Sequence, residues 1–159
     1  MVRRAEARDL TEILNIYAHA RSVMAQNGNP TQWGSGFPPE EMLREDIAQG
    51  RLYALSDAEG VYGVFALIIG DDPTYAVIEG GRWRSDSPYG TLHRVAASGR
   101  VHGVLREAVA YSAGVIAHLR IDTHADNDVM QRQIKKCGFE RCGVIHIADG
   151  SERIAYERL

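Results

Sequence analysis

Residues Leu92–Asn127 read LHRVAASGRVHGVLREAVAYSAGVIAHLRIDTHADN, and this stretch decides how the rest of the chain is arranged. Leu92-His93-Arg94-Val95-Ala96 is an apolar strand segment and Ala97 to Gly103 is a short polar loop. A helix follows, then a second strand, Leu119-Arg120-Ile121-Asp122-Thr123, and a turn that ends at Asn127. A helix that begins at a basic, glycine-containing loop directly after a strand points unpaired backbone N–H groups and its positive dipole end at that loop. That geometry suits a pyrophosphate. Anion binding is therefore the first expectation.

Upstream, Val2-Arg3-Arg4 reads as a short first strand, and Asp9 can cap a helix running to about Met24. Leu10, Ile13, Leu14, Tyr17 and Ala18 recur at the three- and four-residue spacing of a core-facing stripe. Ala25 to Pro39 is rich in helix breakers and forms a loop. Its aromatics, Trp33 and Phe37, either pin it to the core or take part in binding, since long loops in compact domains are commonly lids. Pro39-Glu40-Glu41 opens a second helix, with Met42, Leu43 and Ile47 in its body and a stop at Gly50. Arg51–Ser56, the turn Asp57–Gly60 and Val61–Ile69 form an antiparallel hairpin. Its second strand is almost continuously apolar, so it belongs at the centre of a sheet with both faces covered. Tyr75–Glu79 alternates in character before the turn-rich Gly80–Pro88, which brings Glu79, Trp83 and Tyr89 beside a possible pocket.

Downstream, a helix spans about Asp128 to Lys136 and stops at Cys137-Gly138. Phe139–Ile147 and Arg153–Glu157 are strands joined by a turn containing Asp149-Gly150, a strong hairpin signal. Two strand–helix–strand crossovers in this half imply a mixed sheet with helices on both faces.

A length of 159 residues fits one domain, 1–159, with a core that needs neither disulfide nor metal. A formal charge of −3 argues against general attraction to nucleic acid or a membrane surface, while leaving room for a local basic patch. Cys137 and Cys142 read as buried structural thiols, and no signal peptide or long apolar span precedes them, so a cytoplasmic setting is expected. The histidines are scattered, and no metal site is expected.

Two patterns resemble the GCN5-related N-acetyltransferase (GNAT) family over nearly the full chain. That family's phosphate loop follows its fourth strand as Gln/Arg-x-x-Gly-x-Gly/Ala; here Arg100-Val101-His102-Gly103-Val104-Leu105 matches except at the last position. The family's asparagine after the fifth strand and its later Gly-Phe are matched, with their spacing, by Asn127 and Gly138-Phe139. The resemblance implies an α/β (α+β) fold: a mixed, mostly antiparallel central sheet, a V-shaped splay between strands 4 and 5, and helices on both faces. It implies acetyl-coenzyme A as cosubstrate, bound in the splay. Val95 and Ala97 would offer backbone groups to the pantetheine. Arg100, Val101, His102, Gly103 and Val104 would cradle the pyrophosphate, Asn127 would hydrogen-bond the pantetheine arm, and Met130 would line the same channel. Read without the family, Gly103 permits tight helix–strand packing and Asn127 caps the next helix.

The implied activity is transfer of an acetyl group to an amine of a small molecule or peptide by direct attack in a ternary complex. The alternatives are an inactive acyl-coenzyme A-binding module and an unrelated phosphate-binding α/β domain. Many members donate a proton from a tyrosine five residues before the Phe of Gly-Phe; here Ile134 holds that position. Tyr89, Tyr156, Ser98 and His124 are the remaining donors near the strand ends. Glu79 is the first choice of base and His124 the second, with water as a third. Trp33 and Glu79 are expected on the acceptor side, where Glu79, Asp71 and Asp72 would suit a cationic amine. A homodimer through the C-terminal sheet edge is a further expectation.

Overall fold

The computed structural model describes residues 1–159. Seven strands, β1 (Val2–Arg4), β2 (Leu52–Asp57), β3 (Gly60–Ile69), β4 (Gly90–Ala97), β5 (Leu119–Thr123), β6 (Glu140–His146) and β7 (Glu152–Arg158), form one sheet in the order β1-β2-β3-β4-β5-β7-β6. Every pairing is antiparallel except β4 with β5. The helices are α1 (Leu10–Gln26), α2 (Glu40–Ala48), α3 (Val104–Val115) and α4 (Asp128–Lys136). The expected mixed sheet with a splay at strands 4 and 5 is what the chain forms. No helix is long and apolar enough to cross a membrane.

The continuously apolar β3 lies inside the sheet, as expected, and separates two cores. One core packs Phe65, Leu92, Val109, Ile121 and Ile134 against α3 and α4. The other packs Ile13, Ile16 and Tyr17 of α1 and Leu43 of α2 against Ala54, Val64 and Ala66. Helices therefore cover both faces; of the stripe read on the first helix, Leu10, Ile13 and Tyr17 are buried and Leu14 half-buried, while Ala18 is exposed and Ile16 is buried in its place.

Local chemistry departs from expectation in two places. Asp9 does not cap α1 with its side chain; the carboxylate reaches back to the Glu6 N–H at 2.8 Å and pairs with Arg3 at 2.8 Å, closing a short 3₁₀ turn at Ala7–Asp9. Tyr75 closes another such turn, Pro73–Tyr75, and the run to Glu79 touches the sheet at one antiparallel bridge, Glu79 to Val144. That approach needs Gly81, where a Cβ would collide with the Cys142 carbonyl oxygen.

The long β3–β4 connection is held by a buried ionic hub. Glu157 on β7 accepts from the Arg84 N–H at 2.8 Å and from Arg120 Nε at 3.1 Å, and lies 2.7 Å from His118 Nε2. Arg120 is sandwiched between the Trp83 and Tyr89 rings, 3.9 and 4.0 Å from their centroids. Burial works to raise the Glu157 pKa, but these hydrogen bonds and cations outweigh it and hold the carboxyl below its ordinary value.

Candidate active site

β4 and β5 pair only at Gly90 with Leu119 and Thr91 with Arg120. Beyond Thr91 the two strands diverge, so the edge of β4 from Leu92 to Ala97 faces a gap where a strand would otherwise lie. Two cavities occupy that gap, of about 270 and 610 Å³, and both are lined by Met24, Val95 and Met130. They meet at Val95.

The bend in β4 at this meeting point is built by distant residues. Arg94 has φ +53, a left-handed conformation costly for a residue with a Cβ, and the β3–β4 register shifts beside it. Its side chain donates to the fully buried Asp46 at 2.7 and 3.1 Å, and its carbonyl accepts from the Tyr17 hydroxyl at 2.6 Å. Arg51 pairs with the same Asp46 at 2.7 Å. The strain is therefore over-determined by an ion network.

The smaller cavity runs beside the loop Ala97–Gly103. Gly103, at φ +86, precedes α3, and the first helical bond is Glu107 N–H to the Gly103 carbonyl at 3.0 Å. The six N–H groups from Val101 to Arg106 donate to no protein acceptor. Consecutive free N–H groups around a left-handed glycine at a helix N-terminus form an anion-binding concavity. Val95, Ala97, Val101, His102, Gly103, Val104, Asn127 and Met130 all line this cavity, and His19 joins them from α1. Arg100 does not. Its N–H donates to Ser98 Oγ at 3.2 Å, and its guanidinium makes two 2.8 Å bonds to Asp57, stacking over Tyr62, so its charge is directed to the β2–β3 hairpin. Asn127 is the cap of α4: Oδ1 accepts from the Met130 N–H at 3.1 Å and Nδ2 donates to Gln32 at 3.0 Å.

The larger cavity collects the titratable groups. His93 Nε2 lies 3.0 Å from Asp72 Oδ2, and Thr74 donates to the other Asp72 oxygen from both its N–H, at 2.9 Å, and its hydroxyl, at 2.7 Å. Burial alone would raise the Asp72 pKa, but these bonds dominate and bring it down to about 2. Asp122 accepts from the buried Tyr75 hydroxyl at 2.6 Å. Burial raises its pKa in spite of the nearby His93 and Arg153 and that hydrogen bond. Trp33 and Phe37 form an aromatic wall; Trp33 also packs edge-on against Tyr17 at 5.6 Å, so it both pins the loop and lines the cavity.

The other residues singled out from sequence lie elsewhere. Glu79 is exposed and lines neither cavity, because its backbone is tied to Val144 on the β6 edge. Tyr89 is buried behind the site; its hydroxyl accepts from the Asp72 N–H at 2.8 Å, so it positions Asp72. His124 lines neither cavity and contacts Thr31, a lining residue, at 3.4 Å. Of the expected acidic entrance only Asp72 faces the cavity, joined by Asp122 and Asp149. Ile134 and Tyr156 are core residues, 0% and 1% exposed. Sequence reasoning passed over His93, Asp122 and Arg153; ionisable residues within the largely apolar β4 were an available signal for His93, whereas Asp122 and Arg153 share their strands with other charged residues and carried no such signal.

The chain thus has a mixed sheet that opens at its one parallel pair, with a loop of free N–H groups on one side of the opening and a polar cavity on the other. No protein-family model matches the chain, and no curated protein matches it. Solved structures do. A GNAT-family acetyltransferase from Streptococcus agalactiae is 28% identical, with a TM-score of 0.87 over 100% of this chain and 94% of its own. A GNAT-family acetyltransferase from Listeria monocytogenes is 16% identical, with a TM-score of 0.72 over 99% and 93%. A ribosomal-protein-alanine N-acetyltransferase from Brucella melitensis is 18% identical, with a TM-score of 0.63 over 100% and 99%. The chain has the GNAT fold from end to end, and the resemblance read from its motifs holds.

Proposed function

We propose that the chain is an acetyl-coenzyme A-dependent N-acetyltransferase that acetylates an amine by direct attack in a ternary complex. One observation carries this reading: a channel flanked by free N–H groups and a cavity holding a histidine–carboxylate pair meet at Val95, in the open edge of β4. When bound, acetyl-coenzyme A supplies the acetyl group as an activated thioester. The N–H groups of Val101 to Arg106 would hold its pyrophosphate, with Gly103 allowing close approach. Val95 and Ala97 would pair with the pantetheine through the β4 edge, and Met130 would pack against it. The backbone at Val95 would polarise the carbonyl.

His93 takes the place first given to Glu79. With Nε2–H donated to Asp72, Nδ1 has no protein partner and keeps a lone pair for the proton that the attacking amine must lose. Asp72 orients the ring, and Tyr89 and Thr74 orient Asp72. In the net exchange the nitrogen gains the acetyl group and loses one proton, and the departing sulfur takes up one. Trp33 would bound the acceptor.

Binding of acetyl-coenzyme A at micromolar concentration by calorimetry, with thiol release in the presence of amines, is the expected result. No heat and no melting-temperature shift at millimolar cofactor contradicts it. The buried Ile134 favours one other reading, a binding module without turnover. Thiol release above the hydrolysis background excludes that module.

A further inference from the structure

Arg153 is the buried cation of this molecule that lacks an acid. It is 6% exposed, and its guanidinium donates only to neutral oxygens: Ser151 Oγ at 3.2 Å, the Glu152 carbonyl at 2.8 Å and the Gln32 carbonyl at 3.2 Å. The two comparably buried arginine side chains each have a carboxylate, Arg94 with Asp46 at 2.7 Å and Arg120 with Glu157 at 3.1 Å. A buried guanidinium without a counter-ion is costly, and a carboxylate can pair with such a group in bidentate fashion. Arg153 lines the larger cavity, on β7, across the splay from His93 on β4. Asp122 lies between them and feels the charge of both. The nearby Asp149 is turned into its own loop, accepting from the Ser151 N–H at 2.8 Å and hydroxyl at 2.6 Å.

The geometry points to an acceptor that carries its own carboxylate, a free α-amino acid with an apolar side chain, held by that carboxylate on Arg153. This rests on the acetyltransferase reading and names its substrate class. The charge order of the cavity is that of a zwitterion: Asp72 with His93 at one end, the guanidinium without a directly paired carboxylate at the other, Asp122 between them, and Asp149, which also lines the cavity, engaged by Ser151. Trp33, Phe37 and Met24 supply the surface for the side chain. A volume of about 610 Å³ is within the range of small-molecule sites.

The test uses matched pairs, apolar L-amino acids against the same skeletons without the carboxylate, such as L-phenylalanine against 2-phenylethylamine. Binding is measured by calorimetry without cofactor, and thiol release with acetyl-coenzyme A, on the wild type, Arg153→Lys and Arg153→Met. The wild type is expected to prefer the carboxylate member of a pair by roughly ten- to hundred-fold, the worth of a charge-assisted pair of hydrogen bonds. The ratio falls to about one in Arg153→Met and is partly kept in Arg153→Lys. A structural role in pinning Gln32 would lower melting temperature without moving that ratio. Equal binding within pairs, no binding of any carboxylate member at ten millimolar, or a preference that survives Arg153→Met overturns the inference; if Arg153→Met fails to fold, the wild-type ratio and Arg153→Lys decide. Absence of acetyl-coenzyme A binding with the carboxylate preference intact would instead overturn the acetyltransferase reading alone.

Discussion

His93 joins the site through a single contact, Nε2 to Asp72 at 3.0 Å, and that contact selects which nitrogen can take a proton. His93→Gln is expected to lower kcat by about a hundred- to ten-thousand-fold, as loss of a general base does. The dissociation constant for acetyl-coenzyme A stays within a few-fold, which calorimetry checks. The two aspartates beside it respond to acid in opposite directions. Asp72 is held at about 2 against an unfolded value of 3.8, so the stability it contributes is complete above pH 3.8 and is lost as pH falls through 2. Its size is roughly 2 kcal/mol. Urea midpoints between pH 5 and 2 should fall less steeply in Asp72→Asn than in the wild type. Asp122 is raised instead, so its ionised form works against the fold at neutral pH and the penalty disappears as pH drops below its folded value. Asp122→Asn, which can still accept from Tyr75, is expected to raise the melting temperature at pH 7; a lower one would mean that the buried charge is compensated by Arg153.

At the scale of elements, most of the fold was legible because periodicity and turn chemistry are local. The stripe of α1, the continuous apolar run of β3 and the Asp149-Gly150 hairpin each carry their own signal. The bend in β4 was not legible, since Arg94 is held left-handed by Asp46 from α2, 48 residues away in the chain. Asp46→Ala would strand two arginines at once and is expected to cost about 3–5 kcal/mol of stability in chemical denaturation. The loop before α3 was legible as a candidate anion site because strand, glycine and helix start are contiguous, but which groups it leaves free was not. Arg100 fits the motif by position while its side chain is drawn to Asp57, so the loop presents main-chain donors in place of that cation. Gly103→Val combines a left-handed φ with a Cβ 3.1 Å from Arg106 Nη2. It should weaken acetyl-coenzyme A binding at least ten-fold and destabilise the fold by roughly 1–3 kcal/mol.

For the whole molecule, the candidate site is a property of topology. Inserting β7 between β5 and β6, and limiting the β4–β5 ladder to two residue pairs, opens the sheet where the loop, α1, α4 and the Trp33 segment converge. No local window reports that convergence, which is why Glu79 was expected at the pocket and is found on the β6 edge. The same bridge bears on assembly: Glu79 occupies the outer side of Val144, so a homodimer formed by strand addition at β6 would have to displace it. Light scattering should therefore show no dimer built on that edge in the wild type, and Glu79→Pro, which removes the bridging N–H donor and loosens the cover over Val144, should raise the dimer fraction. The central claim is that the free N–H groups from Val101 to Arg106 hold the cofactor's pyrophosphate. An amide-resolved NMR titration with coenzyme A tests it most directly. Saturable shifts at micromolar ligand, largest for residues 101 to 106, are predicted; unmoved amides there at millimolar coenzyme A would contradict it.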